Sequence, residues 1–96
     1  MTQTLTIVAR IEAQDGKAEV VKAEMLKLLE PTRKEVGCIQ YDLHQDNDNP
    51  CVFVFHEQWE SEVLLQDHLN SAHIAEYVKV VDGSIASFVL NRMTKL

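Results

Sequence analysis

One stretch of the chain, Glu57 to Tyr77 (EQWESEVLLQDHLNSAHIAEY), holds the only tryptophan, Trp59, two of the four histidines, His68 and His73, and one of the two tyrosines, Tyr77. An imidazole with a pKa near 6.5 can accept a proton at neutral pH. An indole N–H and a phenolic hydroxyl can hold the oxygens of a bound molecule. His68 follows Leu64 and Leu65 at helical spacing, which puts it at the edge of an apolar stripe. There it is either a half-buried side chain bonded to backbone or a base, and both readings stay open. His73 lies one turn before Tyr77, so the two are neighbours on a helix face, or else His73 is a first-turn residue at the helix entry. On one continuous helix His68 and His73 would point about 140° apart, at roughly 100° per residue. A break at Asn70-Ser71 would let them converge. Even then no third ligand is evident, and His44 and His56 fall on the opposite face of the sheet, so no metal site is expected. Trp59 is either a core or rim anchor or part of a pocket wall.

Other reactive side chains read more plainly. Glu57 shares the inward side of its strand with Trp59, where an acid is costly unless paired. It could orient a histidine, but pairing with Arg10 or Arg92 at the sheet end is the preferred expectation. Cys38 and Cys51 are too few for a disulfide framework and too far apart for a redox or zinc pair, and they read as small apolar strand residues. With three glycines in the chain, no phosphate-cradling loop or dinucleotide fingerprint exists. The ordinary routes to bound flavin or nicotinamide are thereby removed, and no cofactor is expected.

The elements that must position these side chains follow from periodicity. Thr4 to Glu12 alternates as a strand, with Leu5, Ile7, Ala9 and Ile11 on one face. Asp15 is placed to cap an amphipathic helix carrying Ala18, Val21, Met25, Leu28 and Leu29. Pro31 is expected to end or kink that helix, and Gly37 to close the segment. Cys38 to Gln45 and Cys51 to Trp59, separated by Asp46-Asn-Asp-Asn-Pro50, form a hairpin. Its inward face holds Ile39, Tyr41 and Leu43 with Phe53, Phe55, Glu57 and Trp59. Ser61 caps a short helix, and Asn70-Ser71 ends it and caps another that runs from about Ala72 past Val81. Ser87 to Thr94 is a last strand.

The order β-α-β-β-α-α-β predicts an α+β fold, the ferredoxin-like split βαβ, with a four-stranded antiparallel sheet and helices on one face. The uncovered face bears Val8, Val52, Val54 and either Val89 or Leu90, which suits a second copy and hence a dimeric α+β barrel.

Ninety-six residues make one domain, spanning 1–96. The formal charge is −6, from 15 acidic and 9 scattered basic residues, so nucleic acid and anionic membrane are poor partners. The start MTQTLTIVARIE reads as lacking a signal peptide, no run approaches a membrane span, and a reducing cytoplasm is the expected setting.

An ordered set of motifs carries a further reading. Pro31-Thr-Arg33, Glu35-x-Gly37-Cys38 before a strand with Tyr41, then Pro50, Phe53, Glu57-x-Trp59, His68 and Ser71-x-His73 with an aromatic four residues on resemble the antibiotic biosynthesis monooxygenase family over nearly the whole chain. The resemblance implies a dimeric ferredoxin-like barrel. Known members include cofactor-free oxygenases of quinols or polycyclic phenols and an enzyme that processes a phosphorylated signalling-molecule derivative. The polyketide oxygenases of the family carry an Asn four residues before the Trp and a Tyr six after it. Here these positions are Phe55 and Leu65, which favours a smaller quinol-like substrate. The expectation is therefore a cofactor-independent, metal-free monooxygenase acting on a small aromatic substrate with O₂. His68 or His73 would be the base, Trp59 and Tyr77 would orient substrate oxygens, and Tyr41, Phe53, Phe55 and Leu65 would wall an apolar cavity. Two alternatives are an isomerase or degrading enzyme for a small signalling metabolite, and a non-enzymatic stress-response or ligand-binding module. A filled interior would favour the last.

Overall fold

The computed structural model describes residues 4–96. Residues 1–3, where the segment read for a leader begins, lie outside the described residues. The strands are β1 (Leu5–Ala13), β2 (Cys38–Gln45), β3 (Val52–Trp59) and β4 (Ile85–Met93), and the helices are α1 (Ala18–Arg33), α2 (Glu62–Leu69) and α3 (Ala72–Val81). The sheet order is β2-β3-β1-β4, and every neighbouring pair is antiparallel. This is the ferredoxin-like α+β arrangement expected from the element order.

Strand alternation decides which side becomes core. Ile7, Ala9 and Ile11 of β1 lie beside Glu57, Phe55 and Phe53 of β3, and all six are buried. Val21, Met25, Leu28 and Thr32 of α1 repeat at helical spacing and are buried against this face, joined by Leu65 of α2 and Val81 of α3. Complete burial of a side chain such as Met25 contributes about 1.5–3 kcal/mol. The other face carries Val8, Val54 and Val89, with Val89 lying beside Arg10. No helix among the described residues is long and apolar enough to cross a membrane.

Several boundaries differ from expectation for identifiable reasons. Lys17, not Asp15, occupies the N-cap of α1, and no side chain caps it. Gly16, at φ +80°, makes the turn that ends the preceding strand connection. Pro31 does not end α1, which continues to Arg33: a proline in the last turn removes one donor without blocking the residues after it. Ile39 is 52% exposed, because a β-bulge between Cys38 and Gln40 gives β2 one extra residue and turns Ile39 away from the core. β4 begins at Ile85, two residues earlier than the alternation suggested. The hairpin loop is as its composition implies: the Asp46 carboxylate accepts the backbone N–H groups of Asp48 and Asn49.

Candidate active site

Helix-capping chemistry builds the site. Ser61 caps α2 by accepting the Leu64 N–H, and Ser71 caps α3 by accepting the Ile74 N–H. The chain therefore breaks between Leu69 and Ala72, and the two histidines that one helix would have splayed apart turn toward a common point. That point is Glu35, in the turn between α1 and β2. His68 Nδ1 lies 2.7 Å and His73 Nε2 2.8 Å from the same oxygen, Glu35 Oε2. A carboxylate oxygen only accepts, so each of these ring nitrogens carries its proton and donates it.

Glu35 reaches the histidines because its turn lies close to α2. Gly37 sits at φ +87°, and a Cβ built on it would lie 2.8 Å from the Leu64 Cβ. Only glycine suits both the left-handed backbone and the close approach of the helix. The Gly37 carbonyl then accepts the Glu60 N–H at 2.9 Å, tying the turn to the end of β3.

His68 is 2% exposed, with its ring 4.8 Å from that of Trp59 and 5.4 Å, edge-on, from that of Tyr41. Burial lowers its pKa, against an upward pull from the hydrogen bond and charge of Glu35. The neutral imidazole is thus favoured, in the tautomer with the proton on Nδ1. Among the described residues nothing bonds to Nε2, and the His68 ring borders a cavity of about 480 Å³. The cavity wall includes Tyr41, Phe55, Glu57, Ile74, Tyr77 and Leu90. It lies between the sheet and helices α2 and α3, and its size suits a small aromatic molecule.

Glu57 brings a second carboxyl to this cavity. It is 4% exposed, and its Oε1 accepts the Trp59 indole N–H at 2.9 Å. Burial pushes its pKa up to about 7, with the Trp59 bond pulling down and the charge of Glu35 adding a smaller push upward. The expected arginine pairing is not found: Arg92 bonds Glu62, and Arg10 lies 3.6 Å from Glu12.

A family model described as antibiotic biosynthesis monooxygenase matches residues 4–80, a span that includes Glu35, Glu57, His68 and His73. The chain belongs to this family. Among its relatives in the antibiotic biosynthesis monooxygenase family, Escherichia coli YgiN, named probable quinol monooxygenase, is 30% identical over 91 residues, covering 84% of this chain and 88% of YgiN. The crystal structure of PA3566 from Pseudomonas aeruginosa superposes with a TM-score of 0.96 at 33% identity, covering 100% of this chain and 97% of PA3566. SO0527 from Shewanella oneidensis gives a TM-score of 0.91 at 27% identity, covering 99% and 93%. A monooxygenase-like function follows at the level of the family.

Within this monooxygenase fold the anticipated site residues separate into two groups. His68, Tyr41, Phe55 and Tyr77 border the cavity together. Trp59, Phe53 and Leu65 are fully or almost fully buried in the core and stand behind the wall, and His73 supports Glu35 from outside it. The Trp59 N–H is committed to Glu57, so it is not free to orient a substrate oxygen. Glu35 had no role in the sequence reading, although it stands in a motif that was noted. It also supplies the third donor that was missing: Glu35, His68 and His73 place ligating atoms within 4.8 Å of one another. Their hydrogen bonds already account for that convergence.

Proposed function

We propose that the protein is a cofactor-independent monooxygenase of small quinol-like aromatics, with His68 as the base. The observation that carries this reading is the orientation of His68. Its Nδ1–H is held by Glu35, and its remaining nitrogen is left for an apolar cavity that aromatic residues line. Glu35 thereby fixes the tautomer and stabilises the imidazolium formed when a phenolic proton is taken. The apolar wall desolvates the resulting anion, which is electron-rich enough to reduce O₂ by one electron. Recombination of the two radicals at a ring carbon forms a C–O bond and a peroxide, which the His68 imidazolium protonates. Loss of the ring C–H proton and cleavage of the O–O bond then leave a carbonyl and release water. Tyr77, whose phenol also borders the cavity, is placed to hold a substrate oxygen, while Tyr41 and Phe55, stacked at 5.0 Å, form a flat aromatic wall.

The exposed apolar side chains of the open sheet face, Val89 and Met93, further support a homodimer packed through that face. The interior beside His68 is not filled, so the filled core that would have favoured a non-enzymatic module gives that reading no support.

An oxygen-electrode screen of quinols against the wild type and His68→Ala tests the assignment. Oxygen uptake should fall about 10²–10⁴-fold in His68→Ala, as expected for loss of a positioned base. Undiminished uptake by this variant removes His68 from the reaction.

A further inference from the structure

Glu57 is a buried acid with no cation paired to it among the described residues. Around it stand Ile7 of β1, Tyr41 of β2, which pairs with it across the strands, and Trp59, whose N–H occupies Oε1. The ionisable groups that α2, α3 and the residue closing α3 bring to the same cavity are His68, Tyr77 and the exposed Asp82, and Glu35 acts on Glu57 from the α1–β2 turn through its charge. From β4, Arg92 lies beside Ile7 on the same side of the sheet, but its guanidinium donates to both oxygens of Glu62. An ionised Glu57 would therefore be desolvated with a single neutral donor as compensation. Its Oε2 has no partner among the described residues, and the side chain borders the cavity.

We propose that Glu57 is the acid of this cavity: a neutral carboxyl, fixed by Trp59 through Oε1, that donates the proton on Oε2 to a substrate oxygen. This rests on the quinol reading above and assigns it a second catalytic residue. In the peroxide intermediate, His68 takes the ring C–H proton and the C–H electrons form the new C=O bond. The O–O bond breaks, and its distal oxygen takes the Glu57 proton and leaves as water. The electrons come from the substrate and the oxidant is O₂, so no further reductant is needed. Glu57 is left as a carboxylate, and His68 as an imidazolium restores its proton through solvent once the product leaves.

The same geometry selects the substrate. Before O₂ reacts, a neutral carboxyl beside the cavity favours an aromatic ring with two oxygens, one facing His68 and losing its proton, the other accepting from Glu57. An aromatic acid would bring a second negative charge into the same dry space. The cavity should accordingly prefer 1,4-dihydroxynaphthalene to 1-hydroxy-2-naphthoic acid.

Two measurements test the assignment, with Glu57→Gln as the variant because its amide oxygen can still accept from Trp59. Infrared difference spectra between wild type and Glu57→Gln at pH 6 should contain the C=O stretch of a protonated carboxyl, and that band should fade as the pH rises past about 7. With 1,4-dihydroxynaphthalene, Glu57→Gln should retain ligand binding, followed by Trp59 fluorescence, and lose about 100-fold in turnover. Its kcat should also lose the alkaline limb. A carboxylate band at pH 6, or full turnover by Glu57→Gln, overturns the proposal. Absence of oxygen uptake by the wild type overturns the quinol reading and the catalytic step with it, while the infrared band still decides whether Glu57 is the cavity's proton donor.

Discussion

Glu35 and Glu57 are the same residue type in opposed surroundings. Glu35 stands in a turn, 17% exposed at its side chain, and one of its oxygens accepts two imidazole N–H groups. Glu57 stands on a central strand, is 4% exposed, and has one indole N–H. Donor number and access to water decide what each can do. Glu35 is an orienter: it holds two rings and leaves one nitrogen of His68 for the cavity. Glu57, pushed up to about 7 by burial, is poised to give up a proton instead. A base backed by a doubly hydrogen-bonded, partly exposed acid and a neutral acid in an apolar wall are the two parts an acid-base reaction on a phenol requires.

The sharpest way to break this contrast is the pH dependence of stability. Glu57 has a folded pKa near 7 against an ordinary 4.5, so the folded state holds its proton more tightly than the unfolded chain does. Its contribution is complete below pH 4.5 and is lost as pH rises to about 7, a change on the order of 3 kcal/mol at roughly 1.4 kcal/mol per pH unit. Urea denaturation of wild type and Glu57→Gln across this window should show the wild type losing that amount relative to the variant. Parallel curves would mean that Glu57 is ionised like any surface acid.

The next effect separates the two carboxyls physically. Gly37→Ala places a methyl group against Leu64 at a left-handed φ, which should cost about 1–3 kcal/mol. The damage should fall on the Glu35 turn, shifting the His68 and His73 resonances while the Trp59 indole signal stays in place. Movement of the indole signal by a comparable amount would show the two ends of the site to be one unit.

Glu35→Gln acts more gently. It removes the negative charge that helps raise the His68 pKa and leaves an amide oxygen as a weaker, neutral acceptor, so the acidic limb of kcat/KM should move to lower pH and the rate should fall on the order of tenfold. An unmoved acidic limb would deny the coupling. The smallest expected effect is that of Ser71→Ala, which removes the cap of α3 at a cost of about 1 kcal/mol and loosens the approach of His73 to Glu35. Thermal unfolding gives the first quantity and the chemical-shift change of the His73 ring at fixed pH the second.

Much of this arrangement was legible in the sequence, and particular residues show why. Period-two alternation placed Ile7, Ala9 and Ile11 inside, and cap chemistry at Ser61 and Ser71 located the helix break that lets His68 and His73 converge. These are local signals. Glu35 meets His68 and His73 across separations of 33 and 38 residues, and nothing in a polar turn announces such a partner. The β-bulge that exposes Ile39 was equally silent, since one unpaired residue leaves the composition of the strand unchanged. The Glu57–Trp59 bond was within reach. Two residues apart on one strand they share a face, and a buried acid takes the nearest donor before a distant arginine.

The most direct test is the fate of oxygen. In isotopically labelled O₂, with 1,4-dihydroxynaphthalene as substrate, the quinone formed by the wild type should carry one labelled atom and the water the other, and His68→Ala should form little product of either kind. Unlabelled product, or equal turnover without oxygen, would contradict monooxygenation at this cavity.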